Sequence, residues 1–227
     1  MERPTLDILY RDACVVVIDK PAGMLVHPGR EPEPTEQIAM KVLRDQIGQR
    51  VSPLHRLDRP TSGVLMFALD EGTEREFSRQ FAESDVEKRY VAVVPGKTPW
   101  KWTAEASLQK SEDEPFREAE TRFTRKAVVE RGEGTYSRLE VTPKTGRYHQ
   151  IRKHLAMDGW PIVGDYLYGD PDEMARIAKA IGQERLMLHA SRLIFHHPIE
   201  QNEVMVECPL PARFAPFLES DEATAGG

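Results

Sequence analysis

His55-Arg56-Leu57-Asp58-Arg59-Pro60-Thr61-Ser62-Gly63 runs directly into Val64-Leu65-Met66-Phe67-Ala68-Leu69. The second half is a continuous apolar run of strand length, and it predicts a buried β-strand. The first half carries three kinds of ionisable side chain, two hydroxyls, a proline and a glycine up to the edge of that strand. A carboxylate placed there is drawn partly out of water and needs a cation or hydrogen-bond donors. Arg56 and Arg59 are the nearest candidates in sequence. On the residues alone, Asp58 can be either a structural acid closing a turn or a reactive acid at the mouth of a cleft.

The rest of the chain supplies the frame. Leu6 to Asp19 predicts two short strands with a turn at Arg11-Asp12, broken by Lys20-Pro21-Ala22-Gly23. Gly29 to Thr35 is a Pro- and Glu-rich loop, and Glu36 to Ile47 has a helical apolar face that stops at Gly48. Asp70 can cap a helix running to about Ala82, with Phe77 and Phe81 on one side. Val86 to Val94 predicts a strand, Lys97 to Glu118 a loop with short strands, and Thr121–Val129 and Ser137–Thr142 a strand pair. Tyr148 to Met157 and Pro171 to about Ile181 predict helices. Strands follow around Leu186–Phe195 and Val204–Val206, then a short helix after Pro211, and a disordered tail from Ser220. Strand pairs mixed with scattered helices favour α+β over a doubly wound sheet, in one domain spanning residues 1–227.

Composition places the chain among soluble globular proteins, with 40% hydrophobic and 30% charged residues. The start, Met1-Glu2-Arg3-Pro4-Thr5, has no apolar stretch, and no run reaches membrane-spanning length. Cys14 and Cys208 stand far apart without a Cys/His cluster beside either, which fits a reducing cytoplasm and no zinc. The formal net charge of -6 argues mildly against nucleic acid, but its distribution does not. Acid collects at Glu31–Glu36, Ser111–Glu120 and Glu219–Glu222. Lys144, Arg147, Arg152 and Lys153 fall in an acid-free stretch, and Lys88-Arg89 and Arg125-Lys126 add basic pairs. An acidic back with one basic face suits RNA.

The string His-Arg-Leu-Asp-x-x-Thr-Ser-Gly resembles the central motif of the RluA-type pseudouridine synthases, enzymes that isomerise uridine in RNA. With Arg44-Asp-Gln-Ile-Gly-Gln49 upstream, the wording is most similar to the TruC branch, which acts on tRNA. Asp19-Lys-Pro-Ala-Gly-Met-Leu-Val-His27 resembles a second family motif, whose role is mainly structural. Thr145-Gly-Arg-Tyr-His-Gln-Ile-Arg152 resembles a third, with Tyr148 where the family most often has threonine or lysine.

The resemblance, which covers about Leu6 to Pro209, implies the pseudouridine-synthase fold, a mixed, largely antiparallel sheet with flanking helices and an RNA cleft. It implies Asp58 as the catalytic aspartate, kept charged by Arg152, and Tyr90 as the active-site tyrosine. It further implies Leu188 lining the uracil pocket, Arg56 contacting RNA where the base leaves, and Arg147, Lys153, Lys88 and His55 as further RNA contacts. It implies a minimal catalytic domain with no preceding S4-type RNA-binding domain. No cofactor, metal or membrane is called for, and a monomer acting on RNA, tRNA before rRNA, is the expectation. Two rival chemistries fit poorly. His149 and His154 are five apart and do not share a helical face for a metal, and Ser62 lacks a nucleophile elbow. A non-catalytic RNA-binding module is the stronger rival, but it has no use for an acid amid its cations.

Overall fold

The computed structural model describes residues 4–28, 37–132 and 134–218. The loop expectation at Gly29–Thr35, the start of the first helix at Glu36 and the tail from Ser220 lie outside these residues. The chain divides into two compact units: residues 1–88 with 190–209, and residues 89–189 with 210–227.

The first unit is built on β1 (Asp7–Arg11), β2 (Val15–Lys20), β3 (Ser52–Pro53), β4 (Ser62–Ala68), β9 (Leu188–His196, from Ala190 on), and β10 (Glu203–Glu207). β4 lies between β2 and β9, with β1 outside β2 and β10 outside β9. β1 with β2, β2 with β4, and β9 with β10 pair antiparallel, and Lys20 of β2 stands opposite Gly63 of β4. Every residue of β4 is buried, as its unbroken apolar run requires, because both faces of the strand are covered. One face joins Val15, Val17, Val64, Met66, Leu193, Phe195 and Val206 into a core capped by Phe77. Phe77 comes from α2 (Glu71–Glu83), whose N-terminus is capped as expected by Asp70, its carboxylate accepting from the Thr73 N–H. The other helix, α1 (Ala39–Ile47), ends at Gly48 in the left-handed region.

Gly63 is required where it stands. Its φ is 112°, and a Cβ there would lie 2.1 Å from the Ala190 carbonyl oxygen of β9. The glycine of the central motif therefore serves close strand approach.

In the second unit, β5 (Glu87–Pro95, from Arg89 on), β8 (Gly134–Pro143), β7 (Thr121–Arg131) and β6 (Lys101–Ala104) follow one another in an antiparallel order. β7 alternates buried and exposed residues, so one face meets the core and the other meets water. α3 (Gln150–Met157) begins two residues later than the sequence pattern predicts. α4 (Pro171–Ile181) has Pro171 in its first turn and Asp170 as cap. The short helix expected after Pro211 is a 3-10 helix (Ala212–Phe217), with Pro216 inside it.

The sheet corrects one part of the charge reading. Arg125 is buried at a register shift in β7, donates to the Thr98 carbonyl and lies against Trp100. Lys126 pairs with Glu140. The Arg125-Lys126 pair is therefore not an open basic patch.

Candidate active site

In the first unit, Asp58 sits in the turn that leads into β4. The Thr61 N–H donates to the Asp58 carbonyl at 3.0 Å, and Leu57 is buried beneath the turn. Asp58 itself is partly exposed, while Arg56 and Arg59 face outward. The turn is tied to the Lys20–Met24 segment by a reciprocal arrangement. The Gly23 N–H donates to the Arg59 carbonyl at 2.7 Å, and Arg59 Nε donates to the Gly23 carbonyl at 3.1 Å.

At the centre of this junction is Lys20, which is fully buried. Its ammonium donates to the carbonyls of Pro21 (2.9 Å), Met24 (2.9 Å) and Arg59 (3.3 Å). Burial lowers its pKa to about 8, against the upward pull of the Asp58 and Asp19 carboxylates. Lys20 is thus both the clamp of the Asp58 turn and a cation in its field. Sequence reasoning looked for that cation at Arg56 and Arg59 nearby and, through the family resemblance, at Arg152, and gave the motif that contains Lys20 a mainly structural role. The available signal was a lysine at the end of an apolar strand, where a charge has to be accounted for.

His55 is committed to the scaffold. Its Nε2 accepts the Met66 N–H at 3.1 Å, which puts its proton on Nδ1, and its ring packs on Phe81 with centroids 5.4 Å apart. Burial, helped by the nearby Lys88 ammonium, lowers its pKa to about 3, so it stays neutral. Lys88 lies over the Phe81 ring at 5.6 Å, and burial lowers its pKa too.

In the second unit, Tyr90 is buried on β5 opposite Val141 of β8, and Leu188 is buried at the start of β9. Arg152 is on α3 and buried. Its Nε and one terminal nitrogen each donate to an oxygen of Asp165 at 2.7 Å, a fork-on-fork pair. The guanidinium also lies 5.0 Å from the Tyr168 ring centroid.

The start of α3 is fixed by side chains of the same motif. Gln150 Oε1 accepts from the Thr145 hydroxyl (2.7 Å) and the Arg147 N–H (2.9 Å). Its Nε2 donates to the Glu120 carbonyl and the Thr121 hydroxyl, both at 2.9 Å. The Thr121 hydroxyl in turn donates to His154 Nδ1 at 2.9 Å, and His154 Nε2 donates to the Ala106 carbonyl. This chain of buried donors and acceptors sets where Arg152 stands. His149 takes the left-handed region (φ 54°) at the helix start, stacks on Tyr148 and meets the Tyr168 hydroxyl at 2.9 Å. Two expected RNA contacts are held by backbone: Arg147 Nε donates to the Glu118 carbonyl, and Lys153 Nζ to the Gln109 carbonyl. Sequence reasoning missed Asp165 and Tyr168, which lie on a loop with no helical or strand period.

A separate polar group was also missed. Asp12, Cys14 and His197 bring their ligand-type atoms within 4.8 Å of one another. Their hydrogen bonds already define a structural role. Asp12 Oδ1 accepts from the Cys14 and Val15 N–H groups, and His197 Nε2 stands 3.0 Å from Asp12 Oδ2. His197 Nδ1 accepts from Ile199 and Glu200. An ion could enter only by breaking this set. Both cysteines are free thiols.

Residues 14–157 match the model of the RNA pseudouridylate synthase family. The chain belongs to that family. It is accordingly an isomerase whose substrate is RNA, and the pseudouridine-synthase fold read from the motifs holds. The chain is 41% identical over 221 residues to tRNA pseudouridine synthase C of Haemophilus ducreyi, covering 90% of this chain and 91% of the relative. It is 40% identical over 227 residues to the protein of that name from Vibrio cholerae, covering 90% and 91%. Among solved structures it is similar to human RNA pseudouridylate synthase domain containing 1, with a TM-score of 0.76, 25% identity, and coverage of 95% of this chain and 89% of that one. No helix among the described residues is long and apolar enough to cross a membrane.

Proposed function

We propose that this family member converts a uridine of tRNA to pseudouridine, with Asp58 as the reactive carboxylate. Support for tRNA comes from the relatives named tRNA pseudouridine synthase C, which align over nine-tenths of the chain. The observation that carries the role of Asp58 is its setting: a partly exposed acid on a turn whose Arg59 carbonyl is tied, by a buried ammonium, to those of Pro21 and Met24. That arrangement holds the turn in one place while leaving its acid reachable.

The reaction breaks the bond from N1 to the sugar C1′ and forms one from C5 to C1′. The proton lost from C5 is balanced by one gained at N1, so no oxidant, reductant or co-substrate is consumed. A carboxylate serves as the nucleophile or proton acceptor in this sequence. Tyr90 offers a ring and a phenol to the uracil, Arg152 offers a fixed positive charge, and Leu188 offers an apolar wall. Arg56, Arg147, Lys153 and Lys88 complete the set assigned to RNA, with His55 as scaffold, and the enzyme works as a monomer in the cytoplasm. In this reading, the whole chain is one catalytic domain.

The test is pseudouridine mapping of cellular tRNA and rRNA with the protein removed and restored, coupled to Asp58→Asn. A tRNA site should vanish on removal, return with the wild type, and not return with Asp58→Asn. The purified variant should bind tRNA within about twofold of wild type while losing at least about a thousandfold in rate. An Asp58→Asn protein that isomerises at full speed overturns the role of Asp58, and an rRNA site alone overturns the choice of tRNA.

A further inference from the structure

Two large apolar side chains stand in water beside Arg152. Tyr166 is 44% and Leu167 62% exposed, on the loop between Gly164 and Gly169, although their neighbour Asp165 is buried. The loop cannot fold them away. Asp165 Oδ1, which holds Arg152, also accepts the N–H groups of Leu167 (3.2 Å) and Tyr168 (3.3 Å). The Asp165 N–H donates to the Ile162 carbonyl, and the Gly169 N–H donates back to the Asp165 carbonyl, both at 2.9 Å. At Gly164 a Cβ would lie 2.4 Å from the Arg185 carbonyl oxygen, so the entry to the loop is fixed too. Tyr168 turns inward, onto the guanidinium of Arg152 and the ring of His149. Its two predecessors are left as a rigid apolar tip.

Resting on the proposed function, we propose that Tyr166 and Leu167 form a contact for an unstacked nucleobase of the RNA, beside the Arg152 motif. A uridine that leaves the stack breaks the stacking of its neighbours, and an exposed nucleobase presents an apolar π face. A phenol ring beside an isobutyl group fits such a face whatever its hydrogen-bonding edge. The tip is also placed for it: the same carboxylate fixes both the tip and Arg152. Cations on the adjoining segment, the half-buried Arg147 and Lys153, suit a phosphate backbone. At the tip itself, Asp170 and Asp172 follow closely, which disfavours a phosphate there and leaves a base as the occupant. Because the loop is prefixed, binding does not pay to order it.

The experiment uses the full chain and unmodified tRNA from cells lacking the protein. Binding is measured by filter retention across a salt series, turnover is followed, and variants are Tyr166→Ala, Leu167→Ala and Tyr166→Phe. Tyr166→Ala should raise Kd and KM about tenfold, leave kcat within about threefold, and keep the slope of affinity against salt, since no phosphate contact is lost. Leu167→Ala should follow in the same direction with a smaller effect. Tyr166→Phe should restore wild-type values, because stacking needs the ring and not the hydroxyl. An unchanged Kd for Tyr166→Ala overturns the proposal. A Phe variant as weak as Ala overturns it as a stacking contact, and an unchanged Kd with lost self-association in sedimentation assigns the tip to a second copy of the chain. If the wild type binds tRNA, Tyr166→Ala weakens that binding, and no pseudouridine forms, the isomerase assignment fails and the base contact stands.

Discussion

Asp165 grips Arg152 with both carboxylate oxygens, at 2.7 Å each, where neither side chain meets bulk water. A forked pair of this kind fixes the plane of the guanidinium as well as its position. Removing one partner leaves a charge in a place where it cannot be hydrated. Asp165→Asn should therefore destabilise the protein by about 3–5 kcal/mol, read as a lower midpoint in urea unfolding. Arg152→Lys should do similarly, because an ammonium cannot match the fork. A variant at either position with a wild-type midpoint would show that the pair is not supporting the second unit.

Lys20 makes stability depend on pH in an unusual direction. Its pKa falls from 10.5 to about 8 on folding. Below pH 8 it is charged in both states, and the folded state bears the cost of burying that charge. Between pH 8 and 10.5 the unfolded chain still holds the proton and the folded chain has released it, so the unfolded state binds more protons and stability rises with pH. The gain from this one group approaches roughly 3 kcal/mol across that window. Burial raises the pKa of Tyr10 to about 12 and also raises that of Cys208, which work the other way at high pH. The measurement is therefore the difference between wild type and Lys20→Met from pH 7 to 10. That difference should move in favour of the wild type as pH rises, and parallel curves would contradict the assignment.

Tyr90→Phe separates two uses of one side chain. The ring is buried against β8, so packing and melting temperature should be nearly unchanged. If the phenol moves a proton during isomerisation, turnover should fall about a hundredfold or more. Turnover retained at the wild-type rate would leave Tyr90 with only its ring to contribute.

Much of the frame was legible in the sequence because the elements obey one period each. β4 is an uninterrupted apolar run, α2 has its Asp70 cap and its Phe77 stripe, and β7 and β8 alternate around a glycine turn. The α+β class followed from their order. What could not be read were relations between distant residues without a period. Lys20 reaches Arg59 across 39 positions, and Asp12 reaches His197 across 185. Asp165 is one acid on a polar loop, and nothing local marks it as the partner of Arg152. The Arg125-Lys126 pair failed for the opposite reason: adjacent charges on a strand point to opposite faces unless a register shift intervenes, and here one arginine went inward.

The missing side chain at Gly63 bears on how any survey of variants at the Asp58 loop should be scored. Since the Ala190 backbone occupies the space that even a methyl group would need, replacements at 63 will pry apart two neighbouring strands before they touch the reaction. Inactive clones from that codon carry information about folding yield alone. Assay screens across this loop therefore need a solubility measurement beside them, lest a hole left for a carbonyl be mistaken for a participant in chemistry.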